Sequence, residues 1–296
     1  MNQNSSISSA QNSERYHRII ENLDQLPSLP AIVLRLLKIV NSPDTSAEDA
    51  ASLIEKDPAL TSKMLRLANS AFYGIPRSIS SVSSAVVILG FNTIRSLVLS
   101  ASLVKMFSGE KYAFSNDAFW KHSIVTAMAA KTITRHFMNI RMMDPESAFC
   151  SGIIHDIGKL ILNQYASDDY YETCEYAKKE SVPLIKAEEQ ILGVTHAGIG
   201  SILADRWALP IELGNCLVHH HSPDQKEIAS ELVATVHVAN FISHELGCDL
   251  WEDEICSAKC KSALRYLNIA ETEYLKIRDT IEKTMENSME FLSIIK

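Results

Sequence analysis

The chain has 296 residues, 46% hydrophobic and 22% charged, so it can bury one large core or two smaller ones, and two lobes is the better expectation. A formal net charge of −8 at pH 7 argues against phosphate backbones or anionic lipid as principal partners and leaves only a local basic patch open. Six scattered cysteines in a chain of this size, with no small secreted framework, are expected to be free thiols.

Residues 1–14 are rich in Asn, Gln and Ser and lack both a basic n-region and an apolar h-region, so they read as a disordered lead rather than a signal peptide. No apolar run reaches the roughly 18 residues that span a bilayer. The best, Ala85 to Phe91, is interrupted by Gly90. A cytoplasmic protein with no membrane partner is expected.

Apolar residues recur at three- and four-residue spacing almost throughout, with short Pro, Gly, Asn and Ser breaks, which predicts an all-α, two-lobed protein. Pro30 opens a helix through Val40 carrying Ile32, Val33, Leu36 and Leu37, and Asn41-Ser42-Pro43 stops it. Ser46-Ala47-Glu48-Asp49 caps the next, and Asp57-Pro58 starts a third that ends near Asn69-Ser70. Val82 to Leu89 forms a fourth, with Gly90 suited to its C-terminal cap, and Asn92 starts a fifth through about Lys105.

The pattern lapses between Phe107 and Asn116, which divides an N-terminal lobe (15–110) from a second helical bundle (115–250). The bundle opens at Asp117 with a helix bearing Trp120 and His122. A longer helix runs from Asp144 to about Gln164, followed by a Tyr- and Glu-rich helix at 169–180, helices started by Thr195 and Pro210, and one from about Ser230 to Leu246. Charged, weakly periodic helices from Ile255 to Lys296 make a C-terminal extension (251–296). There is no internal repeat.

The most informative stretch is His155-Asp156-Ile157-Gly158-Lys159. Ile153, Ile154, Ile157, Leu160 and Ile161 supply the core stripe around it, and a carboxylate buried among such groups is strongly unfavourable without a partner. Helical neighbours diverge by about 100°, so the imidazole and carboxylate can converge on one ion with Lys159 a turn away. The bundle also carries His122, His196 and the triplet His219-His220-His221. For His136, His237 and His244 a structural role, one ring nitrogen on a carbonyl, is the better reading. His219 reads as a polar helix end. His244, Cys248, Cys256 and Cys260 have spacings that fit helix faces better than a zinc knuckle.

The order His122, His155-Asp156, Lys159, His196, His220-His221 resembles the HD metal-dependent phosphohydrolase superfamily, particularly the two-metal HD-GYP phosphodiesterases. The sequence departs from that pattern at Asn240, where the superfamily has an aspartate, and at Ser222-Pro223-Asp224, which replaces the Gly-Tyr-Pro segment. A more specific resemblance is to the HDOD family, the signalling relatives of HD-GYP. Leu26-Pro27-Ser28-Leu29-Pro30, Ile54-Glu55-Lys56-Asp57-Pro58-Ala59-Leu60, Leu65-Arg66-Leu67-Ala68-Asn69-Ser70, Tyr73-Gly74, Ala85 to Gly90 and Phe119-Trp120-Lys121-His122 are similar to that family's signature. The similarity covers about residues 16 to 246.

That resemblance implies an all-α, bacterial, cytoplasmic regulatory module for signal transduction, generally regarded as non-enzymatic, whose partner is a signalling protein or a nucleotide-like ligand. By position, one ion would use His122, His155, Asp156 and residue 240, and the other Asp156, His196, His220 and His221. The second set is complete and suits iron, manganese or zinc. The alternatives are a metal-free remnant with His155, Asp156 and His122 bonded to one another, and an active phosphohydrolase or phosphodiesterase in which Lys159 stabilises phosphate. Lys159 equally suits a plain ion pair with Asp156 or a snorkelling role. A third class, a DNA-binding regulator using Lys63 and Arg66 on short helices, meets a lobe nearly balanced in charge with no basic stripe.

Overall fold

The computed structural model describes residues 9–23, 26, 28–39, 46–107, 113–137, 143–223, 230–250 and 257–296; every regular element among them is helical. Helices α1 (Ser9–Leu23), α2 (Ala31–Ile39), α3 (Ala47–Ile54), α4 (Pro58–Ala68), α5 (Val82–Leu89) and α6 (Phe91–Met106) precede the expected boundary. After it come α7 (Asn116–Phe137), α8 (Pro145–Ile154), α9 (Ile157–Tyr165), α10 (Ser167–Glu180), α11 (Leu184–Ile191), α12 (His196–Arg206), α13 (Ile211–His219) and α14 (Glu231–Glu245). The chain closes with α15 (Ser257–Tyr266), α16 (Glu271–Lys283) and α17 (Met285–Ile295).

The capping residues act locally as their chemistry requires. Ser46 and Asp49 form a reciprocal capping box on α3, and the Asp57 carboxylate accepts from the Ala59 and Leu60 amides with Pro58 at the first helical position. Asp144, Thr195 and Ser230 cap α8, α12 and α14 in the same way. Gly90 takes φ +82°, a conformation that side chains with a Cβ rarely adopt, and there the chain turns 119° from α5 into α6. No single described helix is long and apolar enough to cross a membrane; α5 and α6 reach that length only as this bent pair.

Three expectations are revised. Helix α1 begins at Ser9, inside the lead expected to be disordered, because Ile19 and Leu23 bury against the core while Arg15 and Arg18 pair with Asp169; residues 1–8 lie outside the described residues. The single helix expected from Asp144 to Gln164 is broken at His155-Asp156 into α8 and α9. Helix α11, which the sequence reading passed over, stands between α10 and α12 with Leu184, Ala187 and Ile191 buried.

The C-terminal extension is less peripheral than its weak periodicity suggests. Phe291 of α17 is fully buried and packs on Phe72, from the turn after α4, and on Phe149 of α8. One apolar cluster therefore runs from Ile19 through both lobes to Ile295, and a second joins α7 and α14 to α15 and α16. Lys131 of α7 ties the same junction together. Its ammonium lies 2.5 Å from Glu146 Oε1 and 5.3–5.4 Å from the ring centres of Phe72, Tyr73 and Phe149, an ion pair inside an aromatic cage.

Two glycines set the helix crossings that build the site. A Cβ at Gly152 would lie 2.5 Å from Ala127 Cα, so α8 approaches α7 at backbone distance. A Cβ at Gly158 would collide with the His196 carbonyl oxygen, so α9 rests directly on the start of α12. Gly158→Ala is expected to cost about 1–3 kcal/mol by forcing these helices apart. Phe291→Ala is expected to cost about 3–5 kcal/mol, against less than about 0.5 kcal/mol for the exposed Leu275→Ala. Urea unfolding midpoints measure all three, and a Phe291→Ala protein as stable as Leu275→Ala would mean the extension is not part of the core.

Candidate metal centre

Asp156 lies in the break between α8 and α9, with φ −102° and ψ 9°. Aspartate is a favoured N-cap residue, yet its carboxylate makes no capping bond to α9. It is fully buried and turned instead toward four imidazoles. His122 and His155 bring their Nε2 atoms to 3.4 and 3.2 Å from Oδ2, and His196 and His220 bring theirs to 3.5 and 3.3 Å from Oδ1. Lys159 Nζ lies 2.9 Å from Oδ2. These are approaches of charge and lone pair rather than aligned hydrogen bonds, and neither carboxylate oxygen, nor His220 Nε2, has a hydrogen-bond partner.

The opposite ring nitrogens explain why the Nε2 atoms converge. His155 Nδ1 donates to the Gly152 carbonyl at 2.8 Å, His122 Nδ1 to Cys248 at 2.8 Å, and His220 Nδ1 to Cys216 at 2.9 Å. His196 Nδ1 meets Glu188 Oε2 at 2.6 Å. Each of these partners can only accept, so each Nδ1 carries the proton and each Nε2 is left turned toward Asp156. Burial drops the His122 and His220 imidazoles to about 4, so both are neutral at physiological pH. Burial alone would raise the Asp156 carboxyl; the His155 and Lys159 side chains outweigh it and hold the group well below the usual carboxylate range.

Each expected site residue has a definite place. Asp156, His196, His220 and His221 bring ligand atoms within 4.8 Å of one another, as do His122, His155 and Asp156. His221 completes the first group, its Nε2 2.9 Å from His196 Nε2, and is the one partly exposed member of either. Lys159 is buried against Asp156, so the snorkelling alternative does not hold.

His237 and His244 support the centre from outside: His237 Nδ1 donates to the His220 carbonyl at 2.7 Å, and His244 stacks near His122 and bonds Asp249. Asn240 lies between them on the same face of α14, buried, its Oδ1 unbonded. His219 stays outside both groups. Cys248 and Cys260 are buried free thiols that join no converging set among the described residues, and Cys256 lies outside those residues.

The residue that sequence reasoning missed is Glu188 of α11, fully buried with His196 and Tyr170 as partners. Its signal was present: a carboxylate on the apolar face formed by Leu184, Ala187 and Ile191. A cavity of about 590 Å³ lies elsewhere, between α6 and the starts of α8, α13 and α14, with Arg95, Asp144, Glu212 and Glu231 among its lining residues.

The donors fit a divalent metal ion. Four imidazole Nε2 atoms converge on a buried carboxylate whose Oδ1 has no hydrogen-bond partner, and a cation bound there would satisfy donors and carboxylate together.

The family model of the HDOD domain matches residues 26–223. An uncharacterized protein of Treponema pallidum (strain Nichols) is 25% identical over 276 residues, 92% of this chain and 51% of the relative, so the chain spans about half the length of that curated protein. Among solved structures, an HDOD domain protein of unknown function from Geobacter sulfurreducens superposes with a TM-score of 0.79 at 24% identity, covering 95% of this chain and 98% of that one. A protein from Shewanella amazonensis SB2B, provisionally named a phosphohydrolase, gives 0.74 at 24% identity over 94% and 98% of the two chains. At these identities the structures speak for the fold; the family model, matching two thirds of the sequence, identifies the chain as a member of the HDOD family.

Proposed function

We propose that this protein is a non-catalytic HDOD regulatory module that holds one divalent cation in the Asp156, His196, His220 and His221 set and acts by binding another protein. One observation carries the single-ion reading: the Lys159 ammonium sits 2.9 Å from Asp156 Oδ2, while Oδ1 faces His196 and His220. A metal ion on the Oδ2 side, with His122 and His155, would share its carboxylate oxygen with a buried ammonium. Asn240, buried on α14 with its Oδ1 unbonded, brings an amide where the two-metal pattern has an aspartate. The Oδ1 side has three imidazoles and a carboxylate oxygen, a donor set for iron, manganese or zinc.

When bound, such an ion supplies Lewis acidity and lowers the pKa of an attached water. Two-metal phosphoryl transfer needs a second ion to stabilise the opposite oxygen, and here the second place is held by Lys159. The burial of every ligand but His221 also narrows any approach for a phosphoester. A structural or sensory ion in a cytoplasmic bacterial signalling protein follows. On this reading residues 15–110 and 115–250 form the two lobes and 251–296 brace them.

The cavity beside Arg95 has three carboxylates to one guanidinium among its lining residues, which disfavours a nucleotide phosphate there. DNA binding loses one of its two basic candidates, because Lys63 Nζ is bonded to the Ile295 and Lys296 main-chain oxygens. The second reading, a metal-dependent phosphohydrolase, draws on the complete second ligand set and on the name of the Shewanella neighbour.

Elemental analysis of the purified protein is expected to find about one iron, manganese or zinc per chain. Asp156→Ala should abolish it, His221→Ala should weaken binding at least about tenfold, and His122→Ala should retain it. The protein should not turn over cyclic dinucleotides or phosphomonoesters with added iron or manganese; metal-dependent turnover lost in Asp156→Ala would establish the phosphohydrolase instead.

Proton linkage gives a separate check. His122 and His220 fall from the ordinary 6.5 to about 4 on folding, so between those values the unfolded chain binds protons that the folded chain excludes. Stability of the chelated protein should therefore fall as pH drops through this window, by up to about 3 kcal/mol per pH unit for the two groups together. Asp156, with its lowered pKa, contributes only below the window. Denaturant unfolding at pH 7 and pH 5 measures the slope, and equal midpoints would contradict the buried neutral imidazoles.

A further inference from the structure

We propose that Glu188 is the positioning residue that makes His196 the strongest imidazole donor of the centre and so directs the ion to the Oδ1 side of Asp156. The inference rests on the reading of this centre as a metal site. His122, His155 and His220 are each held at Nδ1 by a main-chain carbonyl, which is sufficient to fix a tautomer. At His196 a carboxylate does this instead, and it does more than fix a tautomer. Glu188 Oε2 accepts from both the His196 amide, at 2.8 Å, and the ring Nδ1, at 2.6 Å, while Oε1 accepts from the Tyr170 hydroxyl at 3.0 Å. Glu188, Tyr170 and His196 are all buried.

The energetic question is why a full negative charge stands where a carbonyl serves the other three rings. Glu188 is ion-paired with His196 in this buried setting. A buried carboxylate so placed is costly unless positive charge lies close by. The ring of His196 carries its other nitrogen to within 3.5 Å of Asp156 Oδ1, so a dication there is one imidazole away from Glu188 and balances both carboxylates. The hydrogen-bonded carboxylate in turn makes the ring a better donor, as outer partners of metal-bound histidines do. Tyr170 holds Glu188 in place from the far side. On the Oδ2 side the Nδ1 atoms of His122 and His155 bond the Cys248 and Gly152 carbonyls, which polarise a ring less than a carboxylate does.

The test uses Co²⁺ as probe on the full-length chelated protein, with three readouts: the dissociation constant, the visible d–d absorption of the bound ion, and the unfolding midpoint with and without metal. Glu188→Gln keeps the shape and removes the charge. It is expected to weaken Co²⁺ binding 10- to 100-fold, to change the d–d spectrum, and to shrink the metal-induced rise in the midpoint while the metal-free midpoint holds. Tyr170→Phe should move the same quantities in the same direction by a few-fold. A purely structural Glu188 would lower the metal-free midpoint and leave the spectrum alone. If wild type binds Co²⁺ and Glu188→Gln binds it equally tightly with an unchanged spectrum, the role of Glu188 is overturned and the metal reading stands. If wild type binds no Co²⁺, both fall together.

Discussion

Everything at the centre of this fold depends on the protons at four histidine Nδ1 atoms. Three carbonyls and one carboxylate, none able to donate, hold those protons, and the consequence appears on the other side of each ring: four Nε2 atoms pointed at one buried aspartate. Negative charge and lone pairs do not pack together in a dry interior unless positive charge joins them. Lys159 meets this need on one side of Asp156. On the other side Oδ1 faces the imidazoles of His196 and His220, which is where the proposed ion belongs.

The helices are arranged to hold that geometry. The break at His155-Asp156 lets two adjacent residues face one point, which a continuous helix with about 100° between neighbours achieves less directly. Backbone-to-backbone contact at Gly158 brings the first residue of α12, His196, against α9, and the close approach at Gly152 seats α8 on α7, the helix of His122. The C-terminal helices and the caged Lys131 then bind the first lobe to this bundle, so that Phe72, Phe149 and Phe291 share one cluster.

The same features separate holding an ion from using one. Phosphoryl transfer by two metals needs both sides of the aspartate open to ions and substrate, whereas here an ammonium lies against Oδ2 and, of the converging side chains, His221 alone is partly exposed. These features are what the proposed non-catalytic, single-ion reading draws on.

The sequence by itself determined the helical class, most helix starts, and the histidines and aspartate that the fold brings together. Periodicity, capping side chains and His-Asp adjacency act over a few residues and can be read in line: Asp57-Pro58, Asp144-Pro145, Thr195 and Ser230 all begin helices, and Asn240 declares its missing charge in one letter. Tertiary structure decided what depends on partners far apart in the chain. The break that turns Asp156 inward, the burial of a weakly periodic tail through Phe291 and the pairing of Lys63 with main-chain oxygens arise from contacts across tens to hundreds of residues, and the place of Glu188 from the packing of three separate helices. Glu188 shows the reason most plainly: a carboxylate on a short helix is surface by composition, and only its partners, the amide and ring of His196 and the hydroxyl of Tyr170, make its burial tolerable.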